Sequence, residues 1–190
     1  MFIFLLNSCE TREEHALPPL KLDLNFFQLS AKTPTNENYP LLNLTKKSLS
    51  VLVFLSPECP VCQNYALTMN ELQNQTDTQR VNFIAVFPGT YYTPKQMIDY
   101  LNIYHIPFQP ILDPKFAITG LLRATVTPEA YLLDSLGNIL YSGSIDNQMM
   151  DVGKRRTMVT EHFLRDAIST ALDHKIVKTR RTQPAGCFIE

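Results

Sequence analysis

The chain carries no surplus of charge of either sign: 17 Lys and Arg stand against 18 Asp and Glu, a net charge of −1. Nucleic acids and anionic membrane faces are recognised by concentrated positive charge, and this balance gives neither of them support. Nor does any apolar run approach the roughly 20 residues that a membrane-spanning helix needs. There is no internal repeat and no low-complexity segment, so the 190 residues are read as one domain with a modest extension. Cysteine is scarce, four in all, and the four histidines (His15, His105, His162, His174) are scattered. A structural zinc site needs four ligands, usually from a second closely spaced pair. Here the other two cysteines, Cys9 and Cys187, stand far away and singly.

What the chain does have is Ser56-Pro57-Glu58-Cys59-Pro60-Val61-Cys62, directly after the apolar, β-prone run Val51 to Leu55 and ahead of a helical pattern. Two thiols two residues apart at a strand-to-helix junction are the working parts of a thiol–disulfide exchange site. Pro60 suits a first helical turn, where its missing N–H has no partner to lose. The Cys59 sulfur then meets the unpaired amides and positive end of the helix, which favour thiolate, the attacking species. Cys62 sits one turn further in. The residues therefore predict Cys59 as nucleophile and Cys62 as resolving thiol, with their own redox-active disulfide and no other cofactor or metal. Half of a zinc site and a purely structural disulfide are the competing readings. The latter would close so short a loop that it constrains little of the unfolded chain.

At the N-terminus, Phe2 to Leu6 is apolar, and Leu6-Asn7-Ser8-Cys9 resembles a bacterial lipobox, whose cysteine is lipidated after cleavage. The stretch is shorter than an ordinary leader core and has no Lys or Arg before it. The polar run Glu10 to His15 reads as a tether. The expected division is a leader and tether over 1–18, a domain over 19–178 and a tail over 179–190 containing Cys187. A lipid on Cys9 would place the domain outside the cytoplasm, on the periplasmic side of a bacterial envelope, where disulfides persist.

Along the domain, Lys21 to Ser30 alternates apolar and polar residues and predicts a half-buried strand. Ser50 to Leu55 and Val81 to Phe87 read as central strands buried on both faces. Val61, Tyr65, Met69 and Leu72 fall on one helical face. Thr93-Pro94 is an N-cap and first-turn proline, opening a helix with Met97, Leu101 and Tyr104 inward. Ile111 to Asp113 predicts a short strand and Lys115 to Leu122 a short helix. Ala130 to Leu133 and Ile139 to Ser142 flank the turn Asp134 to Asn138, and a last helix runs from about Arg156 to His174. Strand–helix alternation followed by a hairpin and a closing helix predicts an α/β fold with a mixed central sheet.

Four segments resemble the redoxin branch of the thioredoxin fold, the group of alkyl hydroperoxide reductase-like and TlpA/ResA-like proteins. They are Phe54 to Cys62, the helical insertion from about Thr93 to Ile106 ending in Asp113, Val126-Thr127-Pro128-Glu129-Ala130-Tyr131-Leu132-Leu133-Asp134 with Gly137, and Tyr141 to Asn147. The resemblance implies a thioredoxin-like α/β fold, its mixed sheet flanked by helices, with an N-terminal strand extension and a helical insertion. It also implies a cis Pro128 beside the reactive sulfur and a Thr127 backbone that pairs with substrate. Pro60, Val61, Thr127 and Glu129 would line the substrate groove, with Cys59, Cys62 and Pro128 as its catalytic set. The partners implied are protein dithiols or disulfides and a second protein that resets the site.

The chain departs from the family pattern in two places. Glu58 stands where a tryptophan commonly precedes the first cysteine, and a carboxylate there opposes the helix dipole at Cys59. The Pro-x-x-x-Thr/Ser-x-x-Cys signature of true peroxiredoxins is not met by Leu52 to Glu58, which makes a thiol peroxidase the weaker outcome. A copper chaperone, the other alternative, would use the same cysteines plus Cys187 or a histidine, since Cu(I) favours thiolates. The tail Thr182 to Ile189 resembles the Pro-x-x-Gly-Cys-x-Ile ending of some redoxin-domain proteins. Its Cys187 is open to three readings: third redox thiol, soft metal ligand, or free thiol in a loose tail.

Overall fold

A computed structural model describes residues 21–190. The expected leader and tether over 1–18, with Cys9, lie outside the described residues.

The six residues of Leu49–Phe54 are all buried, because both faces of this strand are covered. Val51 and Val53 enter one apolar layer, with Leu49, and Leu52 and Phe54 the other. Each such side chain taken fully out of water contributes about 1.5–3 kcal/mol. In chain order the elements are α1 (Leu24–Gln28), β1 (Ser30–Lys32), β2 (Asn38–Pro40), a 3-10 turn (Leu41–Thr45), β3 (Leu49–Phe54), α2 (Pro60–Asn64), α3 (Ala66–Asn74), β4 (Val81–Pro88) and α4 (Pro94–Ile103). There follow β5 (Gln109–Asp113), α5 (Ala117–Leu122), β6 (Val126–Thr127), β7 (Glu129–Asp134), β8 (Ile139–Gly143), β9 (Met149–Asp151), β10 (Lys154–Arg155), α6 (Phe163–Leu172) and β11 (Cys187–Phe188).

Seven strands form one sheet in the order β2-β1-β5-β4-β3-β7-β8. β3 runs parallel to β4, and β4 to β5, as strand–helix–strand connections require, whereas β7 and β8 return antiparallel as a hairpin. This is the mixed α/β sheet flanked by helices that the sequence predicts. Side chains of α2, α3, α4 and α6 pack in one layer, and those of α1 and α5 in the other. Thr93 opens α4 with a full capping box: its side chain accepts from Gln96 N while the Gln96 side chain accepts from Thr93 N.

The sequence reading differs at the start of the domain. Lys21 to Ser30 is not a strand: Asp23 caps Asn25 N, and a helical turn follows. Leu22 and Phe26 are buried while Leu24 is 75% exposed, so the inward positions are four apart rather than two. The strand pairing expected there is made further on, by β1. The last helix is also shorter than expected, since Lys154 and Arg155 pair with β9 and α6 begins only at Phe163.

The segment Tyr141 to Asn147 is held by buried polar pairs. Tyr65 Oη donates to Asp146 Oδ1 at 2.8 Å, and Gln148 N donates to the same oxygen at 2.8 Å. Burial, and then the Asp146 carboxylate, push the Tyr65 phenol well above its ordinary range, so it stays a donor.

Candidate active site

The site forms where β3 ends and α2 begins. Leu55 still pairs with β4, through Leu55 N to Val86 O at 2.9 Å, and Cys59 N donates to Ser56 O at 3.2 Å to close a turn. Cys59 is the N-cap residue of α2, in extended backbone (φ −72°, ψ 116°), and Pro60 occupies the first turn. The helix pauses at Tyr65 and resumes as α3, and Val61, Tyr65, Met69 and Leu72 all turn inward as predicted.

Opposite Cys59 lies the short strand β6. The Thr127–Pro128 peptide is cis, and the Thr127 carbonyl oxygen stands 3.1 Å from Cys59 Sγ. Residues far apart in sequence thus meet at one sulfur, as the resemblance implies. Pro60 is exposed beside this contact, and Val61 is buried beneath it.

Cys62 is completely buried. Burial pushes its thiol up to about 12, and hydrogen bonds with the Ser56 backbone and the Thr127 side chain recover only part of that rise. It lies close to Cys59, one turn into the helix, and stays protonated near neutral pH.

Two expectations are corrected. The first is the disulfide: Cys59 is bonded to Cys187, across a sequence separation of 128 residues and a Cα–Cα distance of 6.1 Å, and Cys62 is free. The cause is a strand pairing, since β11 lies antiparallel to β6 with Cys187 opposite Thr127 and Phe188 opposite Val126. Cys187 is therefore no free thiol in a loose tail, nor is its sulfur open to a metal in this state. Among the described residues no three His, Cys, Asp or Glu side chains gather into a metal-holding group.

The second is Glu129, expected in the substrate groove. It is 5% exposed, and its carboxylate faces its own segment, where it accepts from Thr125 N at 2.8 Å and Tyr131 Oη at 2.8 Å, with Val126 N at 3.4 Å. Its work is to hold the 125–128 turn in shape. An exposed acceptor would do no such thing, and the apolar context Ala130-Tyr131-Leu132-Leu133 was the signal that it points inward.

Sequence reasoning missed how the tail is rooted. Ser142 N donates to Arg180 O at 2.9 Å, and Thr182 N donates to Ser142 O at 3.1 Å. Ser144 N donates to Thr182 Oγ1 at 2.9 Å, and Ser144 Oγ to Gln183 O at 2.8 Å. Gly143 makes this possible: at φ +132° a side chain is strained, and a methyl group there would collide with the Thr182 carbonyl. An apolar recess of about 490 Å³ between Ala31, Leu41, Leu112 and Ile118 has none of the three sulfurs in its wall.

A model of the AhpC/TSA family matches residues 23–142. No match is found among curated proteins. Among solved structures, a hypothetical protein from Sinorhizobium meliloti 1021 is 18% identical with a TM-score of 0.78, covering 92% of this chain and 94% of its own. An uncharacterized conserved protein from Geobacillus kaustophilus is 19% identical with a TM-score of 0.77, covering 91% of each chain. A secreted disulfide oxidoreductase from Mycobacterium tuberculosis, homologous to E. coli DsbE, is 15% identical with a TM-score of 0.59, covering 78% of this chain and 99% of its own. At these identities the likeness is one of fold.

Proposed function

Because the chain belongs to the AhpC/TSA family and is a redoxin-type oxidoreductase, we propose that it exchanges disulfides with protein substrates through Cys59 and Cys62. The observation that carries this reading is the arrangement at one sulfur. Cys59 sits at the N-cap of α2, faces the Thr127 carbonyl at 3.1 Å, and has a free buried thiol one turn behind it. In the reduced chain the Cys59 thiolate attacks a substrate disulfide, one substrate sulfur leaves as a thiol, and a mixed disulfide joins Cys59 to the other. Cys62 gives up its proton and attacks Cys59 Sγ, the second substrate sulfur leaves and takes a proton, and the Cys59–Cys62 disulfide remains. A partner dithiol then restores the starting state. The substrate segment runs beside Pro60 and Thr127, and no cofactor beyond these thiols is required.

The test removes both sulfurs able to free Cys59. A chain with Cys62→Ser and Cys187→Ser should accumulate mixed disulfides at Cys59 when incubated with a disulfide-containing protein, seen as a dithiothreitol-sensitive mass increase. A chain that stays monomeric in mass through this incubation refutes the exchange reading.

The proposed setting is extracytoplasmic, with a lipid on Cys9 as the anchor, supported by the pattern Leu6-Asn7-Ser8-Cys9 ahead of a polar stretch. Two or three acyl chains hold a protein stably on a bilayer where one does so only marginally. Expressed in a bacterial host, the protein should sediment with membranes, and Cys9→Ala should move it to the soluble fraction. Equal distribution of the two forms counts against the anchor.

A further inference from the structure

We propose that residues 184–190 are a tethered substrate: they occupy the exchange groove as a client segment would, closing it while Cys187 is bonded to Cys59, and they state the groove's preference for an extended segment with glycine before its cysteine. This rests on the exchange reading above and specifies its substrate class.

Three observations converge on it. The tail takes the backbone partner that a substrate needs, since Cys187 pairs with Thr127 and Phe188 with Val126, while Ile189 N donates to Thr125 O at 3.0 Å. Extended segments added to a strand edge draw affinity from such main-chain bonds and specificity from alternate side chains. Gly186 is buried against Thr127, where a methyl group would run into the carbonyl oxygen and carbon of that residue. Its φ is not positive, so what demands glycine is the closeness of the two backbones rather than a conformation. Finally, Cys59 is 2% exposed and Cys62 wholly buried, whereas Cys187 is half-buried. With the tail docked, no substrate sulfur can approach Cys59.

The tail is built to leave without being lost. Its root, Arg180 to Gln183, stays bound to β8 and Ser144, and Pro184 and Ala185 separate that root from the docked tip. A two-residue ladder is a weak hold, so the covalent bond decides whether the tip is docked, at the high effective concentration a short tether provides. Release is an isomerisation. Cys62 loses its proton and attacks Cys59 Sγ, the Cys59–Cys62 bond forms as the Cys59–Cys187 bond breaks, and Cys187 departs as thiolate and takes up a proton. No electron is gained or lost. The burial that keeps Cys62 protonated makes this step slow near neutral pH, so the closed form persists until a substrate or partner thiol displaces it at Cys187.

The experiment has two arms. Full-length oxidised protein is acid-quenched, blocked with N-ethylmaleimide and mapped by mass spectrometry, in the wild type and in Gly186→Ala. The wild type should show Cys59 linked to Cys187 with Cys62 blocked, and Gly186→Ala should shift the bond to Cys59–Cys62 and speed insulin reduction severalfold. In the second arm, reduced protein carrying both Cys62→Ser and Cys187→Ser is mixed with the peptide Thr-Gln-Pro-Ala-Gly-Cys-Phe-Ile-Glu carried as its glutathione disulfide. It should capture this peptide about tenfold or more faster than the same peptide with alanine before cysteine, because overpacking at that contact opposes docking. A Cys59–Cys62 bond in the wild type with insulin reduction intact, or equal capture of the two peptides, overturns the tethered-substrate inference and leaves the exchange reading standing. Absence of insulin reduction by wild type, Gly186→Ala and Cys187→Ser alike overturns both.

Discussion

Cys59→Ser should bring dithiothreitol-driven insulin reduction down to the uncatalysed rate, the largest loss expected from any single change in this chain. Neither remaining sulfur of the site can substitute. Cys62 is wholly buried and its thiol is pushed up to about 12. Compared with an ordinary thiol of pKa about 8.5, its thiolate population near neutrality is lower by about three and a half orders of magnitude. The greater intrinsic nucleophilicity of a basic thiolate, with a Brønsted slope of about 0.4–0.5, returns only about half of that loss on a logarithmic scale. Roughly a hundredfold deficit remains before access is considered. Cys187 has no second thiol poised behind it once Cys59 is gone. In the same variant, iodoacetamide labelling of Cys62 should be slow at pH 7 and rise about tenfold per pH unit below the thiol's pKa, because each unit multiplies the thiolate fraction by ten. Persistent insulin reduction, or fast labelling of Cys62 at pH 7, would show that the roles of the two cysteines are reversed.

Glu129→Ala should lower stability by about 4 kcal/mol, since it strands the buried Tyr131 hydroxyl at roughly 1–3 kcal/mol, deprives the part-buried Thr125 amide of its acceptor and leaves a cavity besides. For a domain of this size that is a fall of about 10 °C in melting temperature. Burial, the larger cause of the raised Tyr131 phenol, remains when Glu129 is removed, so this donor stays protonated and has no ionised form in which to escape the penalty. Glu129→Gln keeps an acceptor for Thr125 N and should retain most of the stability. The reduced Glu129→Ala protein, measured at a temperature where it is folded, should also exchange more slowly, because the 125–128 turn faces Cys59. A raised KM for substrate with an unchanged melting temperature would restore Glu129 to the groove wall; differential scanning fluorimetry alongside insulin kinetics separates the two.

Much of this was legible because it was local. The apolar run of β3, the Pro60 start of α2 and the Thr93-Pro94 cap are signals written within a few residues, and each element forms where its signal stands. The approach of Thr127 to Cys59 follows from a resemblance rather than from any local pattern. At Lys21 to Ser30 the apolar spacing fits both a strand and a helical turn, and the Asp23 cap decides for the turn. The partner of Cys59 was out of reach for a different reason. A bond across 128 residues depends on Gly143 admitting the Thr182 carbonyl and on Gly186 admitting Thr127, two close approaches that no periodicity announces. The Gly186-Cys187 pair did stand out in the sequence, but its meaning needed the geometry of β6.

The rooting of residues 180–182 along β8 has a consequence for how the molecule behaves in a crowd. β8 is the border of the seven-stranded sheet, and a border strand offers unpaired amides and carbonyls to any neighbouring chain. Here the amide and carbonyl of Ser142 are already engaged by Arg180 and Thr182, and Ser142 bridges to Arg181 in parallel. The same dozen residues that cover the reactive sulfur therefore also hem an adhesive margin. A chain ending before Lys178 would lose this hem and expose β8 to strand pairing between molecules, so colloidal solubility and thiol chemistry are vested in one short stretch of polypeptide.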